Sequence, residues 1–266
     1  MNSVRRVLLA VLAIAVGFAA SVIYFNPGRL MPAAPAPVPV DDTNWIDQLY
    51  SQNPSEAQEA AQRVEELGVR ALPTIATTLR NPGAEPERVK AALKASGIIG
   101  EKAAPVTEDV AGRLTDPDLT LEAAVALSFM GKGAFPPLRR ALGSEDPIVR
   151  REALRAIGKL KLRAPLDTDT VLPLLVQGMA DEDPGVRAMA ATYLGIIHEG
   201  GEVAVDALRD GLEDEEAEVR RASATALGSF GDDAAPAIPA LRKAMRDRDP
   251  EVAREAGLAI VRLQGR

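Results

Sequence analysis

One motif recurs seven times along most of the chain, at intervals of 30 to 37 residues. Three copies align without gaps: DPIVRREALRAIGKL (146–160), DPGVRAMAATYLGII (183–197) and EAEVRRASATALGSF (216–230). Four weaker copies begin at Asn53, Glu85, Asp116 and Asp249. A unit this short cannot bury its apolar face alone, so successive copies must stack to form a continuous core. The chain is therefore expected to fold as a solenoid.

Each copy has the pattern of an α-helix. Its first residue, counted here as position 0, is Asp, Asn or Glu, and Pro follows in six of the seven copies. An acidic or amide side chain followed by Pro is typical of a helix N-terminus. Apolar or small residues follow at positions 3, 7, 10 and 11, which lie on one helical stripe. Small residues at position 7 indicate that neighbouring helices approach closely: Ala60, Ala92, Ala123, Ala153, Ala190, Ser223 and Ala256.

A second apolar pattern separates these helices and predicts a first helix for each pair. Its segments are 71–79, 106–114, 134–142, 171–179, 204–212 and 237–245, and Asn44–Ser51 supplies a degenerate first member. Residues 41–266 are thus expected to form seven helix pairs and an elongated monomer without strands. The 37-residue interval after Asp146 predicts a longer loop around 161–168, where we expect proteolysis or a change in curvature.

The signature D-P-x-V-R-x-x-A-x-x-A-[LI]-G at Asp146–Gly158, which returns at Asp183–Gly195 with Tyr193 in place of the last Ala, resembles HEAT repeats. It is similar in particular to the short variant found in phycobilin lyase subunits, and the resemblance covers residues 43–266. It implies a right-handed all-α solenoid whose second helices line the concave surface. It also implies a ladder between neighbouring repeats, in which the arginines at position 4 pair with the capping acids. These residues are Arg150, Arg187 and Arg220 with Asp146, Asp183 and Glu216.

The N-terminal residues predict a membrane anchor. Residues 7–25 contain no charged side chain, and as a helix they would span about 28 Å, close to the thickness of a bilayer core. Arg5 and Arg6 precede this run, so we expect residues 1–6 in the cytoplasm and the repeats on the exported side, in the periplasm of a bacterium. The alternative is a cleaved signal peptide and a secreted body. Residues 26–42, rich in Pro and Ala, read as a semi-rigid linker.

Composition excludes several kinds of chemistry. The chain has no cysteine and one histidine, which excludes disulfides, cysteine-held metals, a thiol nucleophile and a multi-histidine metal site. Residues 41–266 carry 28 basic and 38 acidic side chains, a net charge of −10 that disfavours nucleic-acid binding. His198 and Gly131-Lys132-Gly133 are interpreted as helix ends and turns. We therefore expect a protein without enzyme activity, cofactor or metal.

Positions 5 and 9 of the second helices face away from the packed stripe, and no copy has a carboxylate there. In copies 2 to 4 these positions predict a binding surface with an apolar centre between cations: Lys90, Lys94, Leu121, Val125, Arg151 and Arg155. The expected partner is another protein with an acidic, partly apolar surface. Alternatively, carboxylates one position further on balance this basic face: Glu59, Glu122, Glu152 and Glu255.

The sequence therefore predicts a membrane-tethered scaffold or adaptor that binds another protein. A different function follows from the phycobilin-lyase resemblance, which implies a chromophore-handling enzyme or its chaperone subunit. The predicted anchor and the scarcity of acidic and aromatic groups on the presumed concave face count against that alternative.

Overall fold

Both helices of each pair lie close to the positions that the sequence pattern predicts. A computed structural model describes residues 44–265, and within this range the chain forms fourteen α-helices in seven pairs and no strand. The pairs are α1 (Asn44–Gln48) with α2 (Pro54–Leu67), α3 (Leu72–Arg80) with α4 (Pro86–Ile99), α5 (Thr107–Ala111) with α6 (Thr120–Leu127), α7 (Phe135–Ala141) with α8 (Pro147–Arg163), α9 (Thr168–Gly178) with α10 (Pro184–Ile197), α11 (Gly201–Gly211) with α12 (Ala217–Leu227), and α13 (Ile238–Ala244) with α14 (Pro250–Gln264).

The expected anchor and linker lie outside the described residues. Among residues 44–265, no helix is both long enough and apolar enough to cross a membrane. The assignments of residues 1–6, 7–25 and 26–42 therefore stay predictions.

Six of the seven second helices begin directly after the predicted cap. The Asp146 carboxylate, for example, accepts a 2.8 Å hydrogen bond from the Ile148 N–H, which would otherwise have no partner in the first turn. The exception is α6, which begins at Thr120 rather than directly after Asp116. The N–H groups of Leu119 and Thr120 both donate to the Asp116 carbonyl, so a turn precedes the regular helix.

Position 15 has a positive φ in five of the seven repeats, where it directly follows α2, α4 and α10 and comes four residues after the ends of α6 and α12. Four are glycines, Gly68, Gly100, Gly131 and Gly231, and the fifth is His198, with φ 40°. Glycine adopts this left-handed conformation without the steric cost of a Cβ.

The corresponding residue of α8 is Lys161, which stays helical, so α8 continues to Arg163. The chain leaves the helix before Pro165, as predicted, but the prediction of a longer loop around 161–168 is wrong, because the extra residues lengthen α8 and only 164–167 lie between the helices. The Lys161 ammonium donates to the Leu166 carbonyl at 2.9 Å and to the Thr168 hydroxyl at 3.0 Å, and it lies 3.0 Å from a Glu199 carboxylate oxygen. The inserted loop is thus tied to the next repeat.

The core is a layer of second helices that pack on one another in chain order, with the first helices against it. The small residues at position 7 are buried, as predicted. Glycine at position 12 allows the closest approach: a Cβ added to Gly195 would lie 2.6 Å from the Cα of Ala226 in the next repeat. Repeated close contacts of this kind build the α-solenoid.

An arginine ladder joins repeats 4 to 7, but its acids differ from those implied by the resemblance. Arg150, Arg187 and Arg220 pair with Asp181, Asp214 and Asp247 of the following repeats. These acids lie two residues before the next cap. The expected partners Asp146 and Asp183 instead accept hydrogen bonds from the N–H groups of Ile148 and Val186, so their carboxylates cap their own helices.

Candidate protein-binding groove

An open groove of about 590 Å³ lies across the second helices of the first three repeats. Its walls come from the turn after α1 and from α2, α4 and α6 with its C-terminal turn. The lining residues are Tyr50, Glu65, Lys94, Gly97, Ile98, Leu121, Glu122, Val125, Ala126 and Phe129. The groove is thus mostly apolar, with three charged side chains among the residues that form it.

One side of the groove is a stripe of exposed apolar residues. Leu121, Val125 and Phe129 follow one another at four-residue spacing, which puts them on one face of α6 and its C-terminal turn. Their exposed fractions are 48%, 36% and 44%. The Arg163 guanidinium lies 4.1 Å from the centre of the Phe129 ring and thereby supports the ring through a cation–π contact. Within residues 44–265 the stripe therefore keeps a substantial part of its apolar surface uncovered.

Lys94 and Tyr50 hold each other in place at the opposite side. The Lys94 ammonium donates a 3.1 Å hydrogen bond to the Leu49 carbonyl and lies 5.1 Å from the centre of the Tyr50 ring. Partial burial raises the pKa of Tyr50, and the negative charge of Glu122 raises it further. The positive charge of Lys94 is therefore already engaged within the protein, and the Tyr50 hydroxyl keeps its proton at neutral pH.

Two carboxylates of the groove have no such engagement. Glu65, on α2, and Glu122, on α6, form no salt bridge or hydrogen bond with a side chain of the described part of the chain. The cation among the lining residues is Lys94, whose ammonium donates its hydrogen bond to the Leu49 carbonyl and not to either carboxylate. The groove therefore combines an apolar surface with two carboxylates that are available to a ligand.

Half of the residues predicted for binding line this groove. Lys94, Leu121 and Val125 do so, whereas Lys90, Arg151 and Arg155 do not. Each of the three outside it has a carboxylate neighbour, but Arg151 and Arg155 share one. Lys90 lies 3.1 Å from a Glu87 oxygen, Arg151 lies 3.4 Å from Glu152, and Arg155 forms a close ion pair with the same carboxylate.

This compensation includes Glu152, one of the acids that the alternative interpretation named. That an acidic partner contacts all six residues of the predicted binding surface stays a prediction.

The prediction missed Tyr50, Ile98, Phe129 and Glu65. Phe129 had a usable signal, because it continues the four-residue spacing of Leu121 and Val125 to position 13, and Ile98 occupies the same position in the preceding repeat. Tyr50 belongs to the degenerate first member, where alignment gives no guide to orientation, whereas Glu65 occupies position 12 of the first copy, the position of Gly97 in the next. They reach the groove only because the first pair packs against α4.

The other residues considered for chemistry have structural positions. The His198 backbone ends α10 in the left-handed conformation, and its Nδ1 lies 3.1 Å from the Ile196 carbonyl oxygen. Gly131 and Lys132 form a turn between α6 and α7. Within residues 44–265, no three His, Asp or Glu side chains are grouped so that they could hold a metal ion.

A model of the HEAT-repeat family matches residues 135–224 and 205–265. The matched part contains the arginine ladder, whereas every residue that lines the groove precedes it in the chain. No curated protein sequence matches this chain.

Several solved structures are similar to this chain. Kap121p matches with a TM-score of 0.59 and 14% identity, over 76% of this chain and 26% of Kap121p. An engineered protein matches with a TM-score of 0.46 and 22% identity, over 85% of this chain and 97% of that protein. Human deoxyhypusine hydroxylase matches with a TM-score of 0.41 and 21% identity, over 84% of each chain. At these identities the likeness to Kap121p is one of fold alone.

Proposed function

Because the chain carries HEAT repeats, we propose that it is a scaffold that binds another protein through the groove on its first three repeats and performs no chemistry. We further propose that residues 7–25 anchor it in a membrane, with the repeats on the exported side, in the bacterial periplasm. The anchor rests on the uncharged 19-residue run and the arginines before it.

The exposed stripe of Leu121, Val125 and Phe129 carries this proposal. Each of these side chains could be exchanged for a polar one without loss of core packing, because the core is formed by other faces of the helices. A contiguous apolar patch beside a groove is a common mark of an interaction site. HEAT repeats generally serve protein–protein interaction, which agrees with such a use.

The proposal is tested by capture of partners from solubilised membranes with the tagged full-length chain, followed by mass spectrometry. Val125→Ser should lose a partner that the wild-type chain retains. Leu258→Ser is the matched control, because Leu258 occupies the same position 9 on α14, is 39% exposed and lies far from the groove in the repeat order. Equal capture by both variants would refute a binding role for the groove.

The chromophore-handling alternative is separated from the scaffold by spectroscopy. A bound bilin would give the purified protein visible absorbance, and Leu121→Ser would reduce it if the pigment occupied the groove. Purification without visible absorbance, together with a partner lost on Val125→Ser, is the outcome expected for the scaffold.

A further inference from the structure

Resting on this function, we propose that the groove receives an amphipathic helix of the partner. The apolar residues of that helix pack on Leu121, Val125 and Phe129, and a Lys or Arg beside them pairs with Glu65 and Glu122. The proposal thus names the binding element of the partner and the sign of its charge.

The spacing of the stripe favours a helix. Three apolar side chains at four-residue intervals extend over about 12 Å, at ~1.5 Å per helical residue. A partner helix presents its own apolar residues at three- and four-residue intervals, so the two rows interdigitate. An extended peptide that binds by strand addition needs a free sheet edge, and the fold over residues 44–265 has no strand to offer one.

The carboxylates set the preferred charge of the occupant. Covering the groove with an apolar surface removes water from Glu65 and Glu122, which is unfavourable unless an opposite charge replaces that water. Lys94 does not compensate them fully, because its ammonium is held by the Leu49 carbonyl and the Tyr50 ring. A basic residue on the partner supplies the missing charge, and the net charge of −10 on residues 41–266 attracts it from a distance.

This charge is opposite to the one expected from the sequence. An acidic partner was predicted because positions 5 and 9 contain cations and no acids. In the structure Lys90, Arg151 and Arg155 already form ion pairs with carboxylates, whereas Glu65 and Glu122 beside the apolar stripe form none with a side chain of residues 44–265, although the charge of Lys90 acts on Glu122 from a distance. The two alternatives make opposite predictions for the same experiment.

Two synthetic helical peptides provide that experiment. Both have the same length and the same row of leucines, and they differ only in carrying Lys or Glu beside this row. Binding of each fluorescent peptide to the detergent-solubilised full-length chain is measured by anisotropy. We expect the Lys peptide to bind about tenfold more tightly or better, since like charges at an interface are strongly unfavourable, and added salt should reduce the difference.

Variants of the chain assign the effect to the groove. Glu65→Gln with Glu122→Gln should bring the two peptide affinities to within about threefold of each other with little change in melting temperature, because Glu65 is exposed, Glu122 is half-buried, and neither forms a salt bridge that the exchange would remove. Val125→Ser should weaken both peptides, and Leu258→Ser should weaken neither. Equal or tighter binding of the Glu peptide to the wild-type chain would overturn the proposal.

The result also separates this inference from the proposed function. If Val125→Ser loses the captured partner but neither peptide binds, the groove is a binding site and the helical, basic occupant is wrong. If Val125→Ser retains every partner, the scaffold function of the groove itself fails.

Discussion

Arg187 and Asp214, in consecutive repeats, form a two-bonded salt bridge, with Nε–Oδ2 and Nη2–Oδ1 distances of 2.7 and 2.9 Å. The third nitrogen of the guanidinium, Nη1, donates to the carbonyls of Asp181 and Glu182 at 2.9 and 3.0 Å. One side chain thus joins the loop of its own repeat to the loop of the next. Planar, two-point pairing of this kind is specific to arginine and is stronger than a single exposed ion pair.

The equivalent Arg220 should be important for stability. Its side chain is 6% exposed and pairs with Asp247 at 2.8 Å, whereas the adjacent Arg221 is exposed. Arg220→Ala should lower the free energy of unfolding by about 3 kcal/mol, because it leaves a partly buried carboxylate and two carbonyls without their donor. Arg221→Ala should change it by less than about 0.5 kcal/mol. Urea denaturation measures both, and similar losses in the two variants would contradict the role of the ladder.

The ladder should also make the protein sensitive to acid. Hydrogen bonding to Arg220 lowers the pKa of Asp247, although burial acts in the opposite direction. Burial alone would raise the pKa of Asp181 and Asp214, but Arg150 and Arg187 and nearby N–H groups hold each of them below its usual value.

A carboxylate whose pKa is lower in the folded state stabilises the fold above its unfolded pKa, about 3.9, and loses this contribution as pH falls through the folded value. We therefore expect stability to fall below about pH 4. Asp247→Asn should be less stable at pH 7 and should lose less on acidification. Urea midpoints that fall in parallel for both proteins would show that Asp247 contributes nothing to the acid transition.

His198 should be replaceable by glycine with a gain in stability. Its φ of 40° and ψ of 34° place it in the left-handed region, where the corresponding residues of four other repeats are glycine. His198→Gly should raise the free energy of unfolding by about 0.5–1 kcal/mol, because the strain of a Cβ in this conformation disappears.

The converse change, Gly231→Ala, should cost about 1 kcal/mol at φ 58°. Thermal denaturation followed by circular dichroism tests both substitutions. A lower melting temperature for His198→Gly would mean that the imidazole contact with the Ile196 carbonyl outweighs the strain.

Gly195 should not tolerate alanine. The added methyl would lie 2.6 Å from both the Cα and the Cβ of Ala226, and backbone atoms cannot move aside as a flexible side chain can. Gly195→Ala should therefore cost about 1–3 kcal/mol through overpacking. Gly112→Ala is the control, since its added methyl meets no atom within 4 Å. Equal melting temperatures of the two variants would show that the repeats can separate without cost.

The proposed anchor predicts that the full-length protein stays in the membrane pellet after alkaline carbonate extraction. Protease added outside intact spheroplasts should digest the repeats, because the arginines before residue 7 favour a cytoplasmic N-terminus. Release into the supernatant would support the cleaved signal peptide. Repeats protected from external protease would contradict the orientation.

The capping residue at position 0 and the apolar stripe together predict six of the seven second-helix starts. They do so because both depend on residues within one or two helical turns of each other. The sequence also placed Leu121 and Val125 on an exposed face, since helical spacing defines their direction relative to the buried row. It did not identify Asp214 as the partner of Arg187, because Glu215 and Glu216 are equally close in the chain. Only the position of one repeat on the next distinguishes these three acids.

What the sequence by itself determined is the pairing of short helices, their caps and the faces they bury, because these depend on residues a few positions apart. The tertiary structure decided which charges are neutralised and which apolar residues stay uncovered. Arg187 pairs with Asp214 of the next repeat, while Leu121, Val125 and Phe129 face Tyr50 and Glu65 from the first repeat across a groove. Such relationships depend on distances between side chains of different repeats, which the order of residues along one helix does not contain.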